Sequence, residues 1–330
     1  MRISVLIPVY NGKLFIAEAV DSVLAQECRD WELVISDNGS TDGTCDYLRS
    51  LSDPRIRVYE QPVNLGIMGN LNFLLAQAYA PIAKIMGHDD LLLTGALETI
   101  TRFMEERPDC AVSRCWALGD ELRYSKGGAL EWEGLLPSRL EPAASVLAFA
   151  TFGNLVGNIC RAACRPRMVL QAGGFDKKFP SAGDYEAWQR VAGIFGIWLQ
   201  NEELVFERIH ELQDSNLRTE RNEIDTQVNS ILEILAREVD PSLLHVLRRH
   251  WTIHVFSHRC SRFARQVFTG RFSLAASVWR NLPLGVSAFS SIAAYPLVKL
   301  KLARANATTN YLLDHILKNN KKLPASISQA

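Results

Sequence analysis

Four carboxylates stand in places where acids do chemistry. Asp37 closes a short apolar run, Glu32–Ser36, that reads as a buried strand. A carboxylate accepts hydrogen bonds and never donates one. At the rim of a sheet, Asp37 could therefore choose a nucleobase with a ring N–H donor: uracil or thymine at N3, or guanine at N1. The competing reading is an Asx-turn or helix-cap aspartate. Asp89 and Asp90 are adjacent and follow the run Ile82–Met86. Neighbouring carboxylates repel unless a cation lies between them, and all-oxygen ligands suit Mg²⁺ or Mn²⁺. A metal there would bridge two phosphates and neutralise a departing diphosphate; the alternative is a solvated turn that opens the next helix.

Asp184 lies in the patch Gly183-Asp184-Tyr185-Glu186-Ala187-Trp188. A partly desolvated carboxylate has a raised pKa and can take a proton from an incoming hydroxyl. Trp188 could stack on a sugar face with Tyr185 beside it. The competing reading is a helix N-terminal aspartate favoured by the helix dipole. Arg208 and His210 follow the apolar run Leu204–Phe206, where Arg208 could grip phosphate and a neutral His210 complete a metal shell. His250, His254 and His258 share one helical face. They read as a polar stripe beside Arg248, Arg249, Arg259, Arg262 and Arg265 rather than a zinc site, which would need all three to converge.

Strands alternating with helices must position these groups. Strands are predicted over Ile3–Val9, Glu32–Ser36, Arg55–Tyr59, Ile82–Met86 and Ala111–Ala117. Helices are predicted from Ile16 to Leu24, from Met68 to Tyr79 and from about Thr94 to Glu106. The cluster Asn38-Gly39-Ser40-Thr41-Asp42-Gly43 is a loop, with Ser40 or Thr41 the expected N-cap of the next helix. This alternation predicts an α/β fold with a mainly parallel sheet covered on both faces. Ligands of such sheets sit beyond the carboxyl ends of the strands. The polar residues Asn11-Gly12, Asp37-Asn38, Asn64 and Asp89-Asp90 all fall there, so four loops make one site.

Composition supports a globular enzyme-sized chain: 330 residues, 48% hydrophobic and 22% charged. Seven cysteines, an odd number with no C-x-x-C pair, argue against a disulfide framework or zinc site and for a reducing compartment. The apolar start is too short for a secretory leader, so a cytoplasmic location is expected. Charge is zero overall but uneven. From Pro241 to Ala330 there are 13 Lys and Arg against one acid, Asp314, leaving 23 bases and 35 acids in the first 240 residues. A basic tail implies an anionic partner. No nucleic-acid motif is visible, which leaves an anionic membrane surface on the inner face of the cell membrane, or the acidic body itself. The uncharged stretch Asn281–Val298 carries two prolines and is a poor spanning helix.

Taken in order, these pieces resemble the inverting family 2 glycosyltransferases of the GT-A fold, of the kind that build bacterial cell-surface polysaccharides. The resemblance rests on Ser4-Val5-Leu6-Ile7-Pro8-Val9-Tyr10-Asn11-Gly12, Asp37-Asn38-Gly39-Ser40-Thr41-Asp42-Gly43-Thr44, Asn64-Leu65-Gly66, Asn70, and Asp89-Asp90. It continues through Gly173-Gly174-Phe175-Asp176, Asp184-Tyr185-Glu186-Ala187-Trp188-Gln189-Arg190 and Arg208-Ile209-His210. It implies a GT-A domain over 1–215, with a nucleotide-sugar half (1–117) and an acceptor half (118–215), followed by a basic helical tail over 216–330.

The resemblance implies that Asp37 binds the base of a nucleoside-diphosphate sugar and that Asp184 is the catalytic base. Pro8, Tyr10, Asn11, Asn38, Asn64, Gly66, Asn70, Asp89 and Arg208 would surround the donor. Asp89, Asp90 and His210 would hold Mg²⁺ or Mn²⁺, and Tyr185 and Trp188 would meet the acceptor. The donor would be a UDP- or dTDP-sugar, and the acceptor a glycan, lipid-linked if the tail sits on a membrane. The family's metal motif usually opens with a further Asp where this chain has Gly87, and its base usually follows another acid where this chain has Gly183. Gly87 keeps a second reading open, a non-catalytic nucleotide-sugar-binding or scaffold protein. A dinucleotide-binding domain is set aside, because G-x-G-x-x-G does not follow the first strand.

Overall fold

The computed structural model describes residues 1–119, 135–208, 210, 223–251 and 303–321, with scattered positions between 253 and 276. They divide into two compact units, one made of 1–142 with 154–209 and the other of 143–153 with the chain from 210 onward.

The first unit holds one nine-stranded sheet in the order β3-β2-β1-β4-β8-β6-β9-β5, with β7 paired to β9. Its first half comprises β1 (Ile3–Val9), β2 (Trp31–Asp37), β3 (Ile56–Glu60) and β4 (Ile82–Ile85), joined by α1 (Ile16–Leu24), α2 (Thr44–Ser50) and α3 (Gly66–Gln77). These four strands are all parallel, so their carboxyl ends share one edge; the register sets Val9 opposite Asp37 and Asp37 opposite Glu60. The second half is mixed. After β5 (Leu91–Leu92) and α4 (Ala96–Glu105) come β6 (Val112–Ala117), β7 (Arg139–Leu140), β8 (Ala162–Cys164) and β9 (Ile197–Phe206). There β8 runs antiparallel to both neighbours and β9 runs parallel to β6.

Sequence pattern explains the first half. Every residue of β1 and β2 is buried, as expected for strands covered on both faces. In α1, Ile16, Ala19, Val20 and Val23 recur at helical spacing and are the buried face. They share one core with Val5, Ile7, Leu33, Ile35, Leu97, Ile100 and Met104. Each such fully buried side chain contributes roughly 1.5–3 kcal/mol.

Five elements depart from expectation. The helix after the Asn38–Gly43 loop begins at Thr44 with Gly43 as N-cap and no side-chain cap, which corrects the Ser40 or Thr41 cap. Those residues are engaged elsewhere: the Asn11 N–H donates to Ser40 Oγ at 2.8 Å, and the Thr41 N–H to Asn11 Oδ1 at 2.9 Å. The strands β5, β7 and β8, only two or three residues long, are too short to leave a periodicity. Helix α5 (Pro142–Phe152) is buried continuously from Ala144 to Thr151, so it shows no amphipathic face.

The second unit combines most of α5 with α8 (Glu223–Glu238), α9 (Leu244–His250) and α10 (Ala303–Asn320); α6 (Pro166–Gln171) and α7 (Gly183–Phe195) belong to the first. His250 is buried, and its Nε2 donates to the Thr151 carbonyl at 2.8 Å while Trp251 Nε1 donates to the Ala150 carbonyl at 2.7 Å. The polar-stripe reading is thus corrected at His250, which makes a core hydrogen bond. His254, His258, Arg262, Arg265 and the stretch 281–298 lie outside the described residues. Among the described residues, no helix is long and apolar enough to cross a membrane.

Candidate functional site

The carboxyl ends of β1 to β4 carry loops knitted to one another. Asn11 adopts a left-handed backbone (φ 52°) just after β1. The Gly12 N–H donates to Thr44 Oγ1 at 3.0 Å and the Lys13 N–H to Asp42 at 3.0 Å. The β2 and β3 loops are tied by Asn38, whose Nδ2 donates to Asn64 Oδ1 at 3.0 Å while its Oδ1 accepts the Leu65 N–H at 2.8 Å. Asn64 Oδ1 also accepts the Gly66 N–H at 2.8 Å. Asn11, Asn38, Asn64 and Gly66 therefore shape the rim through each other. Pro8 is buried within β1, and Tyr10 projects at its end, 48% exposed.

Asp37 is only 1% exposed. Its Oδ1 accepts the N–H groups of Gly39 (3.0 Å) and Ser40 (2.8 Å), the Asx-turn of the local reading. Its Oδ2 is buried with no hydrogen-bond partner. One oxygen closes the turn and the other is an orphaned acceptor. Burial and the Asp37 carboxylate push the neighbouring Cys45 thiol up to about 11. On α3, Asn70 is also buried; its Nδ2 donates to the Ser36 carbonyl at 2.9 Å, and its Oδ1 is a second orphan.

Beyond β4, Asp89 and Asp90 turn toward Gly87. A Cβ placed on Gly87 would lie 2.5 Å from Asp90 Oδ2 and 2.7 Å from Asp89 Oδ1. Two carboxylate oxygens thus converge on a cradle that a side chain would fill. Burial, and then the charge of Asp89, push Asp90 up to about 7, against hydrogen bonds from the Arg208 N–H and the Cys160 thiol. The Arg208 N–H reaches Asp90 Oδ1 at 3.1 Å, and its guanidinium donates to the Asp89 carbonyl (3.0 Å) and to Glu18 (2.6 Å). The guanidinium expected to grip phosphate here braces the Asp89–Asp90 loop. The adjoining Glu207 is held by Arg161 at 2.8 Å and by Asn158 at 3.0 Å. His210 falls in the second unit.

Asp184 stands in the first turn of α7 and is part-buried. Desolvation pushes it up to about 6, opposed by the Tyr185 N–H and the Asn154 amide. Its helix is anchored by Arg190, which donates to Glu186 at 2.9 Å and to the Gly174 carbonyl at 2.6 Å. Asn72 of α3 clasps the next residue of that turn through both the N–H and the carbonyl of Phe175, each at 2.8 Å. Trp188, expected to stack on a sugar, is corrected: it is 0% exposed and packs edge-on against Phe175, centroids 5.2 Å apart. Tyr185 is 4% exposed, and burial pushes its hydroxyl far up.

The glycosyl transferase family 2 model matches residues 4–171, half of the chain, and covers every loop of the rim. The chain belongs to that family. Among curated relatives, an uncharacterized glycosyltransferase of Rickettsia typhi is 24% identical over 216 residues, 65% of this chain and 66% of its own length. A Campylobacter jejuni GalNAc(5)-diNAcBac-PP-undecaprenol beta-1,3-glucosyltransferase is 32% identical over 108 residues, 32% of this chain and 35% of that one. The chain thus spans two thirds or less of these relatives. Among solved structures, Staphylococcus aureus TarS with UDP-GlcNAc aligns over 98% of this chain and 93% of its own (TM-score 0.56, 16% identity). A mannosyltransferase from Pyrobaculum calidifontis with GDP-Man and Mn²⁺ aligns over 96% and 86% (TM-score 0.57, 17% identity).

The protein is a family 2 glycosyltransferase with a GT-A fold and a helical C-terminal region. Both departures from the family's usual motifs have a local cause. Gly87 borders the carboxylate cradle. Gly183 lies against α3, where a Cβ would come within 2.6 Å of Met68 Sδ. Sequence reasoning missed Asn154, Arg161, Glu207 and Glu18. Their partners lie 30, 46 and 190 residues away along the chain, so no local signal marks them.

Proposed function

We propose that this glycosyltransferase moves a sugar, with inversion, from a UDP- or dTDP-sugar to a hydroxyl of a glycan acceptor, using one divalent metal and Asp184 as general base. The observation that carries the reading is one rim bearing both the carboxylate cradle of Asp89 and Asp90 and the orphaned Asp37 oxygen. The nucleotide sugars named for TarS and the Pyrobaculum enzyme support a donor of this class.

Asp37 Oδ2 accepts the ring N–H of the base, while Tyr10 and Asn70 flank the nucleoside. The cradle fits Mg²⁺ or Mn²⁺: such ions take one or two carboxylates and fill their other positions with water and substrate phosphate. Asp89 and Asp90 would hold the ion. When bound, it supplies charge neutralisation of the departing diphosphate. Asp184 takes the proton of the acceptor hydroxyl as that oxygen bonds to the anomeric carbon. The bond from that carbon to the diphosphate breaks on the opposite face, and its electron pair leaves with the diphosphate. A carboxylate near 6 is largely ionised at neutral pH and still basic enough for this transfer.

The acceptor is proposed to be lipid-linked and met at an anionic membrane surface by the basic tail. The name of the Campylobacter relative and the tail's charge support this. The test of the whole reading is a donor panel, following release of UDP, dTDP and GDP with and without Mn²⁺. Release of UDP or dTDP that stops with chelator is expected; turnover untouched by chelator would overturn the metal role.

A further inference from the structure

We infer that Asn154 is the positioning residue of the Asp184 carboxylate, holding one of its oxygens so that the other faces the acceptor hydroxyl; this rests on Asp184 being the base. Asn154 Nδ2 donates to Asp184 Oδ2 at 2.9 Å and to the Gly157 carbonyl at 3.0 Å. Its Oδ1 accepts the Val156 N–H at 3.2 Å. The amide nitrogen thus faces two acceptors and the amide oxygen faces a donor, so its orientation is fixed by the chemistry around it. Both N–H donors of the amide are spent, one on its own loop and one on Asp184.

A neutral donor suits this task. Asp184 has no other side-chain donor among the described residues, and an unheld carboxylate at a helix start samples several rotamers. A lysine or arginine in the place of Asn154 would fix it equally well but, by adding opposite charge, would make it a weaker base. The amide orients without that penalty. No charged group contributes to the Asp184 shift. The carboxylate is met by the Asn154 amide and by backbone N–H groups at the start of its helix; on the same helix Glu186 is paired with Arg190, and Met68 of α3 lies against Gly183.

The test compares the full-length enzyme with Asn154→Ala, Asn154→Asp and Asp184→Asn. The Asn154→Asp variant keeps the acceptor for the Val156 N–H and the size of the side chain but cannot donate when ionised. It therefore separates positioning from loop integrity should the alanine variant fold poorly. Donor affinity should stay at the parent value in both Asn154 variants, while kcat falls about 10- to 100-fold, the scale of a misplaced reacting group. The acid limb of the kcat–pH profile should move to higher pH, further for Asn154→Asp, because the ionised carboxylate has lost its donor. A fall in kcat with an unmoved limb would make Asn154 merely structural and overturn the inference, as would parent-like profiles in both variants. If Asp184→Asn abolishes turnover while the Asn154 variants behave as the parent, only this inference falls. If Asp184→Asn retains turnover, the base assignment falls and takes the inference with it.

Discussion

At the residue scale, two carboxylates of the site are held in different ways. Asp37 spends one oxygen on a turn and keeps a buried one unpaired. An unmatched buried acceptor costs about 1–3 kcal/mol, which a bound base donor would recover. Asp37→Ala should therefore weaken UDP binding and narrow the preference for uridine over cytidine donors, read by competition with UDP and CDP. An unchanged preference would leave Asp37 its turn alone. Asp184 has the opposite design: burial raises it to about 6, and the base form must be ionised to work. Turnover should climb as pH rises through about 6, and Asp184→Asn should lower kcat about 10²–10⁴-fold with donor affinity kept. The sign for stability is reversed. The folded state binds this proton more tightly than the unfolded chain, whose carboxylate titrates near 4. Stability is full below about 4 and is lost as pH rises through about 6. Thermal unfolding should show the parent losing Tm relative to Asp184→Asn across that window.

At the scale of elements, the parallel first half of the sheet was legible because its signals are local. Ile3–Val9 is a continuous branched run, the apolar positions of α1 recur at helical spacing, and turn-forming residues come after β1, β2 and β3. The mixed second half was not legible for a geometric reason. Asp184, Tyr185 and Trp188 are close in sequence, but α7 enters the core within one turn, so the acid stays part-exposed while the tryptophan is sealed. Composition shows an aromatic near an acid and cannot show which way the helix runs. The consequence is measurable. Trp188→Ala should destabilise the fold by about 3–5 kcal/mol, the usual cost of emptying a large aromatic site, read as a lower Tm and an earlier denaturant midpoint. Trp188→Phe should recover most of that and restore turnover. A Trp188→Ala enzyme of parental stability with a raised acceptor KM would return Trp188 to the acceptor site.

At the scale of the whole molecule, the open matter is where the enzyme works. The charge of the last 90 residues, 13 bases to one acid, argues for an anionic surface. Some of it is already engaged: Arg259 is buried against Asn229 and lies 3.4 Å from Asp225, and Arg248 reaches Glu233 at 3.3 Å. Phe268 is 91% exposed and Phe272 68%, an unusual cost for rings in water unless they enter an interface. Magnitudes set the test. Each base near an anionic bilayer contributes about 1 kcal/mol, and each ring withdrawn from water about 1.5–3 kcal/mol. Losing two phenylalanines should therefore weaken attachment about as much as losing three to six charges. Phe268→Ser with Phe272→Ser changes only exposed side chains, so folding and turnover on a soluble acceptor should hold. In flotation with anionic liposomes, the parent should bind and be released by salt, and the double variant should bind at least tenfold more weakly. Equal flotation of the two proteins, or parent binding that ignores anionic lipid content, would remove the membrane role and leave the tail's charge to the acids of its own chain.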